Sequence, residues 1–175
     1  VSMCLNASLA GLVCVTAGCD YINAFGAVIE GVVSSLAVIF GVWLLDYKLK
    51  IDDPVGAVAV HMFNGILGTL MTGLLACGTD TSGYEVLGLF YGGGIHFFLI
   101  QCLGILAVGA WTAITMFITF KIIDKTIGLR VSAHEEIVGL DIMEHGLESS
   151  YAGFSISNDF TSLLEDDSFD LSDID

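Results

Sequence analysis

Four stretches of the 175-residue chain carry almost no charge: residues 1–19, 31–45, 54–79 and 86–120. A helix rises ~1.5 Å per residue and needs roughly 20 apolar residues to cross ~30 Å of hydrocarbon. The pattern predicts four transmembrane helices, near 3–18, 25–46, 55–77 and 95–123. The third opens within "DDPVGAVAVHMFNGILGTL", residues 52–70. Asp53 is suited to cap free N–H groups, and Pro54 to the first helical position, where no donor is needed. After them, His61 is the only histidine, acid or base up to residue 79. No charged flank precedes the first stretch, so it does not resemble a signal peptide, and the chain is expected to begin inside a longer protein.

Composition agrees with a membrane setting: 55 % of residues are hydrophobic and 14 % charged, with a mean hydropathy of +0.83. Charge then orients the spans. The basic residues are Lys48, Lys50, Lys121, Lys125 and Arg130, between spans two and three and just past span four. These positions share one side of the membrane, and the other side carries "CDYIN" and "CGTDTSGYE", which contain acids and no base. The positive-inside rule puts residues 46–54 and everything after 123 in the cytoplasm of a multi-pass protein of the plasma membrane.

The net charge of −15 misrepresents the apolar part, because twelve of the 20 acids fall in residues 132–175, which contain no Lys or Arg. Three regions follow: a membrane part over 1–130, a cytoplasmic tail over 131–154, and an acidic extension over 155–175. The tail keeps spaced apolar residues and glycines suited to docking. The extension, ending "LLEDDSFDLSDID", has too little to bury and is expected to be disordered. Such a tail is repelled by anionic lipid and by nucleic acid.

Few residues carry candidate chemistry. The five cysteines, Cys4, Cys14, Cys19, Cys77 and Cys102, show no CxxC spacing and read as small buried thiols, with no zinc site suggested. "GGG" at 92–94 lacks the lysine of a phosphate loop, and "NAS" at 6–8 lies inside the first span, out of reach of a glycosyl transferase. No HExxH, GxSxG or paired-acid motif is present, so neither an enzyme nor a cofactor is expected. His61 is different. Eight residues into span three, it falls ~12 Å along the helix, near mid-membrane, where ionisable groups face a bundle interior, a cavity or a transport path. The alternative is a neutral core histidine bonded to a neighbouring carbonyl.

"NASLAGLVCVTAGCDYI" in span one, "DDP" followed by His61, "GLRV" after span four and then "GLDIMEHG" come in an order that resembles the ammonium transporter (Amt/Mep/Rh) superfamily, and within it the bacterial Amt branch, over residues 1 to about 151. The resemblance implies an all-α membrane protein of eleven helices, of which this chain supplies the last four and the tail, assembled as a homotrimer with one pore per subunit. It implies that His61 is the second of two hydrogen-bonded pore histidines and that Thr16 lines the pore. A helical Thr bonding its own i−4 carbonyl is the alternative for Thr16. Gly139, Asp141, His145 and Gly146 match the family's regulatory tail, which couples subunits and can meet a PII-type signalling trimer, although "LESSY" after "HG" departs from its pattern at Glu148. Glu30 stands where the family is usually apolar, and it is expected to snorkel to the interface in preference to facing an outer vestibule. The implied function is ammonium, ammonia or methylammonium transport across the bilayer. The alternative is an ammonium sensor signalling through its tail.

Overall fold

The computed structural model describes residues 2–51, 53–79 and 81–140. Contacts divide the chain into two units, Val1–Met116 and Phe117–Asp175. Helix α1 spans Ser2–Thr16, α2 spans Ala24–Trp43 and runs on as a π-helical segment Leu44–Leu49, and a second π-helical segment, Val58–Phe63, leads into α3, Asn64–Leu75. A strand pair, β1 (Cys77–Thr79) and β2 (Glu85–Leu87), and a 3-10 turn Leu89–Tyr91 precede α4, Ile95–Thr126. A short α5 covers Ala133–Val138.

Among the described residues, three helical stretches are long and apolar enough to cross a membrane: Ala24–Leu49, Val58–Leu75 and Ile95–Thr126. The expected first span is the exception. Its helix ends at Thr16, 15 residues long, because Gly18 opens a turn in which its carbonyl accepts from Tyr21 and Ile22. The described fold is mostly helical, as an all-α membrane protein leads one to expect, with one small sheet beside the helices. β1 and β2 form an antiparallel ladder, Cys77 opposite Leu87, Gly78 opposite Val86 and Thr79 opposite Glu85. Strands of three residues are too short to show an alternating pattern.

The third span starts later than its proline suggests. Asp53–Gly56 is a turn, closed by the Gly56 N–H on the Asp53 carbonyl at 2.9 Å. The Asp53 carboxylate reaches past that turn to accept from the N–H groups of Val58 (2.9 Å) and Ala59 (3.2 Å). Asp53 therefore caps as expected, with Pro54 lying in the turn outside the helix. At the start of α2, Asn23 accepts from the Gly26 N–H at 2.9 Å and donates to the Tyr91 hydroxyl at 2.9 Å. This ties the loop before α4 to the α1–α2 corner, as does the Cys77 N–H on the Tyr21 carbonyl at 2.6 Å.

Within the first unit, α1, α2 and the third span enclose a core of Ala10, Val38, Leu45, Ala59 and Val60. Small side chains dominate the buried faces, and between membrane helices close backbone approach and van der Waals contact replace the hydrophobic drive available in water. Gly68 shows the limit of that approach, since a Cβ there would run into the carbonyl of Cys14 on α1. Among the cysteines only Cys14 is buried; Cys4 and Cys19 are exposed, and Cys77 and Cys102 are intermediate. The expectation of buried thiols holds for one of them.

Candidate functional site

His61 lies in the Val58–Phe63 π-helical segment. Because the helix begins after the Asp53–Gly56 turn, the imidazole is about one turn in, nearer the helix start than a count from Pro54 suggests. Ala59, Val60 and Asn64 are buried, whereas His61 and Met62 are exposed. The burial of this segment therefore falls on the residues flanking the imidazole and leaves the ring itself open. Its backbone carbonyl accepts from the Asn64 N–H. Asn64 also donates its side-chain amide to the Ala59 carbonyl at 3.0 Å, which pins the end of the π turn. Single π turns inside α-helices recur at functional sites, because the wider turn re-aims side chains.

Thr16 donates to the Leu12 carbonyl at 2.7 Å, the i−4 bond available to any helical threonine. Phe63 is half-buried and meets α2 near Gly41. Glu30 does not snorkel. It is 0 % exposed, and both of its carboxyl oxygens lack a hydrogen-bond partner. The physical reason lies in spacing: Gly26, Glu30, Ser34 and Val38 recur every fourth residue on the buried face of α2. That four-residue spacing was open to a reading of the sequence and shows which way Glu30 points.

The second unit holds the beginning of the tail. Arg130 makes a two-pronged ion pair with Glu136, Nε to Oε1 and Nη2 to Oε2, both at 2.8 Å. The hydrogen bond from Arg130 holds the Glu136 carboxyl below the usual carboxylate range, and the same bond raises the guanidinium. Ser132 and Glu135 form a reciprocal capping box, in which the Glu135 N–H donates to the Ser132 hydroxyl and the Glu135 carboxylate accepts from the Ser132 N–H at 2.8 Å. That backbone bond, followed by the Ser132 hydroxyl, lowers the Glu135 carboxyl. The S-x-x-E spacing at 132–135 is the sequence signal for this start, and reading the region only as an acidic tail passes over it. Gly139 ends α5 with φ +98° and ψ 136° while its N–H donates to the Glu135 carbonyl at 2.9 Å. That conformation is close to glycine-only backbone space. Asp141, His145 and Gly146 lie outside the described residues, as do Glu148 and the 155–175 extension.

The family model described as Ammonium Transporter Family matches residues 1–151. Ammonium transporter Amt2 of Archaeoglobus fulgidus is 39 % identical over 149 residues, covering 83 % of this chain and 31 % of that protein. Ammonium transporter 1 of Dictyostelium discoideum is 35 % identical over 169 residues, 94 % of this chain and 36 % of that one. The chain thus spans about a third of the length of these relatives. Among solved structures, a Sensor Amt Protein superposes with a TM-score of 0.69 at 33 % identity, over 82 % of this chain and 34 % of that one. Candida albicans Mep2 gives 0.64 at 30 % identity, over 74 % and 29 %.

Proposed function

This chain belongs to the ammonium transporter family, whose members are transporters and not enzymes, and we propose that it forms the last four membrane helices and cytoplasmic tail of an eleven-helix protein that moves ammonium across a cell membrane. In this reading α1 is the first of those four, the tail faces the cytoplasm, and three copies assemble, each with its own pore and with a PII-type protein able to dock beneath. The observation that carries the proposal is His61, an open imidazole in an apolar spanning helix, on a π turn behind a carboxylate-capped start.

The chemistry follows from desolvation. A hydrated ammonium ion entering an apolar bore loses its water at large cost. A neutral imidazole offers one donor and one acceptor, so it can hold ammonia and take or return the proton. K⁺ has no proton to give and gains nothing from this route. His61 is assigned to the pore as one of a pair, with its partner supplied by another part of the protein, and Thr16 is placed near the outer end of the same path. Methylammonium uptake and K⁺ leak, measured in vesicles carrying the intact protein, test the assignment. His61→Ala is expected to change flux or the ammonium-to-K⁺ selectivity with assembly intact. Unchanged flux and selectivity would remove His61 from the pore.

A second reading is an ammonium sensor, favoured by the structural likeness to the Sensor Amt Protein. Purified protein in liposomes separates the two, since a protein that only senses ammonium would bind it without passing it.

A further inference from the structure

Among the described residues, Glu30 is the only acid or base without exposed surface. Its surroundings follow from contacts along the helices. On α2, Gly26 lies beside Leu75, and Gly41 lies beside Ala59 and Phe63, so α2 and the third span run antiparallel with Glu30 level with Met71 and Thr72. On α1, Gly11 faces Ser34 and Cys14 meets Gly68. Glu30 thus sits on the face of α2 that packs against α1 and α3, one turn from Ser34 and level with Met71 and Thr72.

We propose that Glu30 is a proton-binding site inside the α1–α2–α3 packing, a carboxyl that carries a proton while the helices are closed and loosens them when that proton leaves. Among the described residues, no neighbouring element supplies a counter-charge. The described part of α1 offers the Cys14 thiol and no acid or base, α3 offers none, and α2 carries no other ionisable group. The hydroxyl protons are committed elsewhere, Ser34 donating to the Gly31 carbonyl at 3.0 Å and Thr72 to the Gly68 carbonyl at 2.9 Å. His61 is exposed and lies below Asn64 on the third span, roughly two turns or more from the level of Met71. Among the described residues a carboxylate here has neither exposed surface, nor a donor, nor a cation, and a charge in that situation is neutralised in preference to being buried. A metal ion is a poorer occupant than a proton, because hard cations take six or more oxygens. Among the described residues the buried side-chain oxygens without a partner are the two of Glu30 and Asn64 Oδ1, and the last lies about two turns away. The inference is independent of what the protein conducts.

Infrared spectroscopy of the intact protein in lipid nanodiscs reads the site directly. At neutral pH the wild type should show the C=O stretch of a protonated carboxylic acid, shielded from rapid exchange with D2O, and Glu30→Gln should lose it. The midpoint of thermal unfolding supplies the second readout. It should fall in the wild type as pH is raised above the ordinary glutamate range, because there unfolding releases the proton, and this fall should diminish in Glu30→Gln and in Glu30→Ile. The apolar variant serves if the amide does not assemble. A wild type lacking the acid band, a band that persists in both variants, or a midpoint that rises with added Na⁺ or NH4⁺ in the wild type alone would each overturn the proposal.

Discussion

Asp53 and Glu135 perform the same task at two helix starts, accepting backbone N–H bonds that no helical carbonyl can reach. Asp53 was legible, because an acid beside the chain's single proline marks a start; its exact placement was not, because the turn through Gly56 is a matter of backbone geometry that Pro54 does not fix. Glu135 was harder to see, since α5 is six residues long, too short to show an apolar period that would draw attention to it. Its carboxyl is lowered by the Ser132 bonds, so the ionised form is the one that stabilises the cap. The sign follows: that contribution is present above the ordinary glutamate value and is lost as pH falls through the lowered one. Carboxyl chemical shifts followed against pH should show Glu135 and Glu136 both titrating below ordinary glutamates. Arg130→Ala should return Glu136 towards the ordinary value and leave Glu135 low. Coincident titration of both with free glutamate would contradict the two contacts.

At the scale of elements, the apolar runs at 31–45 and 86–120 revealed α2 and α4 because their length and lack of charge leave one reading. The π-helical segments were not legible, since no residue pattern distinguishes them from α-helix; they show in the backbone hydrogen bonding of Leu44–Leu49 and Val58–Phe63. Glycine positions divide the helices more finely than hydropathy does. At Gly68 the α1 and α3 backbones approach until a Cβ has no room against Cys14, and the obstacle is a carbonyl, which cannot rotate away as a side chain could. Gly68→Ala should therefore push α1 from α3 and lower stability by about 1–3 kcal/mol, the usual cost of overpacking. Thermal unfolding of the intact protein in detergent checks it. An unchanged midpoint would mean that the helices absorb the methyl group without separating.

For the molecule as a whole, hydropathy and charge asymmetry disclosed a membrane part and an acidic end, and the motif order disclosed the family. The proposed pore was not legible, because a pore is made between helices and this chain spans about a third of the length of its relatives. Leu99, Leu103, Leu106, Trp111 and Phe117 of α4 are all exposed here, as expected of a helix whose neighbours are lipid or other protein. The tail admits a sharper test. Residues 132–151 begin with a capped helix ended by Gly139 and continue into the family's motif, while 155–175 are an acidic run whose charges repel one another. The first stretch is expected to regulate and the second to be dispensable. Gly139→Val forces a β-branched residue into backbone space that costs of order 1–3 kcal/mol for anything but glycine, so it should misdirect the chain leading to Asp141, His145 and Gly146. Transport by the intact protein should fall in Gly139→Val and in Asp141→Ala, with trimer content and membrane insertion unchanged, because the subunits lose their coupling and not their fold. Removing 155–175 should leave transport near normal. Loss of transport on that deletion, with Gly139→Val and Asp141→Ala as active as the wild type, would reverse the roles assigned to the two halves of the tail.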